Sequence, residues 1–171
     1  MSRQAPLSRL IGDTRFKDLK MNPRIRNHFK HMPDGLKAMT ALEASIAASG
    51  LEHGLIELVK LRASQINGCA FCIHLHVTDA RAHGESEMRL HLLNAWRESP
   101  LYTDRERAAL AWAEALTLLA VTGAPDADFE LVKAQFNEAE PVNLTLAIGA
   151  INLWNRLQVG LRAAHPVDAP K

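Results

Sequence analysis

The sequence has few of the features that mark several large classes of protein. It contains only two cysteines in 171 residues, too few for the disulfide framework of a small secreted domain. No apolar run approaches the length that spans a membrane. The first residues also lack the apolar core of a signal peptide. We therefore expect a soluble, cytoplasmic protein without a membrane partner.

Charge and glycine patterns exclude two further kinds of function. The formal net charge is +1 and basic residues form no run, so the chain has no electrostatic basis for nucleic-acid binding. The sequence contains no G-x-G-x-x-G, no P-loop and no G-x-S-x-G motif. Nucleotide binding and serine hydrolysis are thus unsupported, and we expect no cofactor.

Helical periodicity is the dominant positive feature of the sequence. Aromatic residues make up only 5% of it, whereas Ala and Leu are abundant, and we find no strand-like alternation. The spacing of apolar residues predicts helices over about 23–31, 35–49, 52–66, 69–83, 86–96, 103–119, 126–136 and 141–162. The first of these begins at the Asn22-Pro23 signal and ends before Pro33-Asp34-Gly35, which is interpreted as a break. The predicted fold class is all-α.

The length favours a single domain, 1–171, with room for a substantial core. Residues 1–21 show little periodicity and are interpreted as an N-terminal arm. Residues 40–125 form the core that carries the cysteines. Residues 126–171 supply C-terminal helices and a short tail.

The two cysteines form a C-x-x-C pair, Cys69 and Cys72, and His76 follows four residues later. If a helix begins near Cys69, each residue advances by about 100°, so both thiols and His76 share one face while His74 lies on the other. A free thiol has a pKa near 8.5, and a helix N-terminus favours the reactive thiolate. His76 is one turn beyond Cys72, within reach of its proton.

Glu57 is the candidate partner of His76. It lies on the preceding helix, which could fold back across the Asn67-Gly68 break, and a carboxylate there would hold the imidazole in the useful tautomer. Spacing alone equally allows Glu57 and Lys60 to form an ordinary pair on a helix surface. Spacing also leaves the role of Ser64 undecided: it is either a small helix-compatible residue or a hydrogen-bond partner near the thiols.

This pattern resembles the core motif of the alkylhydroperoxidase-D-like branch of the carboxymuconolactone decarboxylase family. The resemblance extends over about residues 40–125. It rests on Glu57, on C-x-x-C-x-x-x-H ending at His76, on L-x-R-A-S-Q-I-N-G-C-A-F-C, on W-R-E-S-P at 96–100 and on E-R-A-A-L at 106–110. One position departs from the pattern, because Phe71 stands where the best-known peroxidase of the branch has a histidine.

The resemblance implies a compact helical bundle that forms homo-oligomers and works as a dithiol peroxidase. By that resemblance Cys72 attacks an organic hydroperoxide and Cys69 resolves the product as a disulfide. Glu57 and His76 would relay the proton. A dithiol, or a lipoyl-bearing or thioredoxin-like protein, would act as the reductant. Lactone decarboxylation, the other activity of the wider family, is disfavoured because the decarboxylase branch of the family does not rely on this cysteine pair.

Three alternatives remain open from the residues alone. A general thiol–disulfide oxidoreductase would use the same dithiol, although no βαβ pattern of the thioredoxin type surrounds it. A metal-binding protein could use both thiols with His76 and Glu57 as zinc ligands, but three positions on one continuous helix do not easily surround a tetrahedral ion. The third alternative is a structural oligomer with inert, buried cysteines. The peroxidase hypothesis leads, and it assigns no metal ligand.

Overall fold

The computed structural model describes residues 22–165, and within that range the protein is all-helical with no strand. The α-helices are α1 (Pro33–Ala47), α2 (His53–Ile66), α3 (Ala70–Ala82), α4 (Glu87–Leu92), α5 (Asp104–Thr117), α6 (Leu119–Thr122), α7 (Asp126–Gln135) and α8 (Glu140–Leu161). Short 3₁₀ turns occupy His28–His31 and Leu93–Ala95. The predicted arm, 1–21, and the tail after residue 165 lie outside the described residues.

The all-helical prediction is confirmed, and its helix positions agree closely with the structure from α2 onward. The capping box at the start of α5 shows why local signals succeed there. The Thr103 hydroxyl accepts from the Glu106 N–H at 3.3 Å, and the Glu106 carboxylate accepts from the Thr103 N–H at 2.8 Å. Both bonds satisfy backbone donors that a helix start leaves unpaired.

Two local predictions near the start of the described chain are wrong. The helix expected over 23–31 is reduced to the turn at His28–His31, because Asn27 takes a left-handed conformation with φ of 52°. The 33–35 segment begins α1 instead of breaking the chain. Pro33 stands in the first turn of that helix, where a missing N–H leaves no helical bond unmade.

Helix α2 is the central element of the bundle. It packs against α3, α5 and α8. Most of its side chains are buried, including the polar ones of Glu57, Lys60 and Ser64. A helix that is buried all round must satisfy its polar groups inside the protein, because unpaired buried polar groups are costly.

Three apolar clusters surround α2 and place the cysteines. The first joins it to α5, α7 and α8 and includes Val59, Trp112, Val132 and Ile148. The second joins it to α3, α5 and the region around α4 and includes Leu61, Leu90, Trp96 and Leu110.

The third cluster contains the cysteines. It consists of Ala63, Cys69, Cys72 and Ile151, with Phe71 and Trp154 packed against it. Both sulfur atoms therefore lie in an apolar setting between α2, α3 and α8.

The described helices also bear on the membrane question. Between residues 22 and 165, no helix is both long and apolar enough to cross a membrane.

A partly buried carboxylate, Glu114 of α5, ties that helix to its neighbours. It accepts hydrogen bonds from Arg62 Nε at 2.7 Å, from Trp96 Nε1 at 2.9 Å and from Arg97. Burial acts to raise the pKa of Glu114, but the hydrogen bonds from these three donors outweigh it, so the pKa lies below its ordinary value. The ionised form is thus favoured in the folded protein.

Replacing this carboxylate, Glu114→Gln, should lower the free energy of unfolding at pH 7 by about 1–3 kcal/mol, since two arginines lose a charged acceptor. Because the folded pKa is depressed, the charge contributes fully above the unfolded pKa and progressively less as the pH falls through the folded pKa. Urea unfolding at pH 7 and at about pH 3 should show the difference from wild type shrinking in acid. A difference independent of pH would contradict this, and exposed Glu130→Gln is the matched control.

Candidate active site

Helices α2 and α3 form an antiparallel hairpin that carries the four predicted site residues. Glu57 lies on α2, Cys69 caps the start of α3, and Cys72 and His76 lie on α3. The turn between the helices contains Gly68 with φ of 64°, a left-handed conformation that favours glycine. The hairpin thus brings a carboxylate from one helix to the dithiol face of the other.

Asparagine side chains of α8 hold this turn in place. Asn67 Nδ2 donates to Asn155 Oδ1 at 2.8 Å and to Asn152 Oδ1 at 3.0 Å. Asn155 Nδ2 in turn donates to Ser64 Oγ at 3.1 Å, and that hydroxyl donates to the Lys60 carbonyl at 2.8 Å. Ser64, whose role the spacing left open, is therefore the hydrogen-bond partner that joins α2 to α8.

The sulfur atoms of Cys69 and Cys72 lie at disulfide distance from each other, with their Cα atoms 5.3 Å apart. Cys69 Sγ also accepts from the Cys72 N–H at 3.3 Å, as the cap of α3. Their exposed fractions are only 1% and 3%. Of the two, Cys72 lines a cavity. A small molecule that enters this cavity would therefore meet Cys72.

Glu57 and His76 form a buried hydrogen-bonded pair, with 2.7 Å between Glu57 Oε2 and His76 Nδ1. With the carboxylate in its ionised form, which can only accept, Nδ1 is the donor of this bond and a neutral ring keeps its lone pair on Nε2. His76 lines the same cavity as Cys72. The alternative surface pair of Glu57 and Lys60 is wrong, because Lys60 Nζ instead donates to Glu43.

The cavity that meets Cys72 and His76 has a volume of about 340 Å³. Its wall is largely apolar and is formed by Phe29, Phe71, Leu75, Ile151 and Trp154. The rings of Phe29 and Trp154 meet edge to face with centroids 6.2 Å apart. Phe71, at the position that departs from the family pattern, therefore contributes apolar surface where a histidine would offer a proton carrier.

A charged pair lines another part of the same cavity. Lys60 donates to Glu43 Oε2, and Trp154 Nε1 donates to Glu43 Oε1 at 2.9 Å. Because Lys60 and Glu43 contact each other, neither charge is isolated in this apolar setting. Sequence reasoning missed Glu43 as a site residue, because it lies on α1, outside the motif, and its spacing gives no sign of the contact.

The zinc hypothesis for the dithiol finds no support in this arrangement. The two sulfur atoms lie at disulfide distance from each other, and Glu57 contacts His76. Zinc would need these groups to point together at one ion.

Comparisons with known proteins identify the family of this chain. A model of the carboxymuconolactone decarboxylase family matches residues 33–115. The uncharacterized protein YdfG of Bacillus subtilis is 40% identical over 146 residues, which cover 84% of this chain and 99% of YdfG.

Solved structures show the same fold. One is a protein of unknown function from Agrobacterium tumefaciens, suggested to be an antioxidant defence protein AhpD. It is 53% identical, with a TM-score of 0.83, and the match covers 86% of this chain and 100% of that one. An uncharacterized peroxidase-related protein from Silicibacter sp. TM1040 is 24% identical, with a TM-score of 0.71 and coverage of 96% and 88%.

The chain belongs to the AhpD-like carboxymuconolactone decarboxylase family. The resemblance inferred from the motif is thus confirmed. The catalytic roles of the four site residues stay predictions.

The asparagine contacts generate a stability prediction. Asn155→Ala removes two hydrogen bonds, the one that Asn155 accepts from Asn67 and the one that it donates to Ser64, and their loss should lower the free energy of unfolding by about 1–3 kcal/mol. Urea denaturation of the reduced protein measures this loss. Asn143→Ala, in a less buried position on α8, is the control and should change stability by less than about 0.5 kcal/mol. Equal stabilities of the two variants would contradict the role of Asn155.

Proposed function

We propose that this protein is a thiol-dependent peroxidase that reduces organic hydroperoxides through a Cys69–Cys72 dithiol/disulfide cycle. One observation carries the proposal: Cys72 and His76 line the same apolar cavity, and the sulfur of Cys69 lies at disulfide distance from that of Cys72. The description of the related Agrobacterium protein as a suggested antioxidant defence protein supports the same class of chemistry.

The first step is attack of the Cys72 thiolate on the O–O bond of the hydroperoxide. The S–O bond forms as the O–O bond breaks, so Cys72 becomes a sulfenic acid and the other oxygen leaves as an alkoxide. In this proposal the unprotonated Nε2 of His76, which lines the same cavity as Cys72, takes the thiol proton beforehand and returns it to the alkoxide. The products of this step are the alcohol and the oxidised Cys72.

The second step uses Cys69 as the resolving thiol. Its sulfur attacks the sulfenic sulfur of Cys72, the S–S bond forms, and the hydroxyl leaves as water with the thiol proton. Cys69 and Cys72 lie three residues apart at the start of α3, so this step takes place within one chain, which favours it over attack by an external thiol.

Glu57 acts through His76 and not on the peroxide. Its carboxylate holds the Nδ1–H of the ring, which fixes the tautomer and stabilises the imidazolium that forms when Nε2 takes a proton. Both side chains are less than a tenth exposed, so water weakens this interaction little.

The shape of the cavity supports a bulky apolar substrate. Its aromatic and aliphatic wall suits the organic group of a hydroperoxide such as cumene hydroperoxide. Because the Lys60 charge is matched by Glu43, the cavity offers no isolated charge to a carboxylate-bearing substrate.

A reductant must then supply two electrons to the disulfide. A dithiol attacks one sulfur, forms a mixed disulfide and closes on itself, which releases both cysteines as thiols. Because the sulfurs are buried and reached through a cavity, a slender dithiol such as a lipoyl arm fits better than a broad protein surface. The same burial disfavours general disulfide exchange with folded proteins.

We also propose that the protein works as a homo-oligomer in the cytoplasm, where thiols are kept reduced between cycles. Helix α8 leaves an apolar set in contact with solvent. Its members are Val142, Leu146, Leu153 and Val159. Contact with another copy of the chain would remove such surface from water.

The assignment of the two thiols predicts different behaviour for their variants. Cys72→Ser should abolish turnover of cumene hydroperoxide, because the attacking sulfur is gone. Cys69→Ser should react once and stop, leaving a sulfenic acid on Cys72 that a dimedone label and mass spectrometry detect. Full turnover by Cys72→Ser, or a label on Cys69 in that variant, would contradict the assignment.

The proton relay predicts slower chemistry in variants that remain folded. His76→Ala should lower kcat/KM for cumene hydroperoxide by about 100- to 10,000-fold, the usual contribution of a positioned acid–base group. Glu57→Gln should give a smaller loss and a changed pH profile, because the ring loses its charged partner. His74→Ala, on the same helix but outside the cavity lining, is the control. Wild-type rates in His76→Ala would contradict the relay.

A further inference from the structure

A second group of chemistry-bearing side chains lies at the open end of the α2–α3 hairpin. His53 is the first residue of α2, Asp79 lies in the last part of α3, and His83 caps the end of α3. Antiparallel packing brings the start of one helix beside the end of the other. Among the described residues, these three can place one ligand atom each within 4.8 Å of the other two.

The contacts within this group are short and come from two different helices. His53 Nε2 lies 3.0 Å from Asp79 Oδ2, and His83 Nδ1 lies 3.7 Å from Asp79 Oδ1. The two imidazole rings have centroids 4.1 Å apart. The side chains are 41–56% exposed, so a solvated ion can reach them.

We propose that His53, Asp79 and His83 bind a divalent transition-metal cation, and that zinc suits them best. Two imidazoles and one carboxylate are typical zinc ligands, and an open zinc site combines three protein ligands with water in the fourth position. Calcium and magnesium instead prefer all-oxygen surroundings. The exposure of the cluster leaves room for that water.

The hydrogen bonding of His83 supports its role as a ligand. Its Nδ1 lies 2.9 Å from the Asp79 carbonyl oxygen, and a carbonyl can only accept, so Nδ1 carries the proton. A neutral ring then keeps its lone pair on Nε2. Metal-binding histidines commonly fix their tautomer by donating the other ring N–H in this way.

A cleft lined by His53 and His83 of this cluster leaves space for an ion. It has a volume of about 370 Å³ and includes Gly54, where a Cβ atom would meet nothing within 4 Å. Glu85 borders the same cleft, but its carboxylate accepts from Arg89 Nε at 2.8 Å and from the Ser86 N–H at 2.7 Å. Because its carboxylate is already hydrogen-bonded, Glu85 is not included among the proposed metal ligands.

A bound cation would pin the α2–α3 hairpin at the end away from its turn. His53 lies one helical turn before Glu57, and Asp79 lies three residues beyond His76. The ion would thus stabilise the pairing of the two helices that carry the relay, without touching the reacting sulfur. An ion that binds the folded chain alone raises its apparent stability by mass action.

The test uses the Cys69→Ser/Cys72→Ser protein, so that thiols cannot bind the metal. Zinc titration against a chromophoric chelator should give one ion per chain. His53→Ala and Asp79→Asn, made in that background, should each weaken binding by at least about tenfold. His91→Ala, which removes another exposed histidine, is the matched control and should bind as the background does.

A second readout is the melting temperature. Zinc should raise the Tm of the background and of the His91 control, and should raise that of His53→Ala by clearly less at the same zinc concentration. No zinc binding by the background, or equal affinity in all variants, would overturn the proposal. The outcome is independent of peroxidase activity, because the proteins compared lack both cysteines.

Discussion

The antiparallel packing of α2 against α3 across a short turn is the constraint on which the site depends. Gly68 supplies the left-handed backbone of that turn, and Asn67 ties it to α8. With the turn fixed, Glu57 on α2 reaches His76 on α3, and the dithiol stands at the start of α3. A shift of one residue in either helix would rotate a side chain by about 100° and break that contact.

The same packing explains how a central helix can contain polar residues. Because α2 is surrounded, each of its buried polar groups needs a partner from another element. Lys60 finds Glu43 on α1, and Ser64 finds Asn155 on α8. These contacts specify how the neighbouring helices are placed as well as stabilising them.

Most of the helices, and the position of Cys72 and His76 on one face of α3, follow from local sequence. Periodicity and capping signals predict the helices because both depend on neighbouring residues, as the box at Thr103 shows. The shared face of Cys72 and His76 likewise follows from helical spacing. Glu43 could not be predicted as a site residue, because it lies outside the motif and its contacts with Lys60 and Trp154 depend on how α1 packs against α2 and α8. The helix expected at 23–31 failed where Asn27 takes a left-handed conformation that local signals do not encode.

A count of free thiols before and after peroxide addition tests the proposed chemistry most directly. Reduced, metal-stripped protein would be mixed with one equivalent of cumene hydroperoxide, with Cys72→Ser protein as the control. Both thiols of the wild type should disappear within seconds and return on addition of a dithiol reductant, while the thiol of the control persists. Survival of both wild-type thiols for minutes would contradict the peroxidase and leave the family relationship as one of fold.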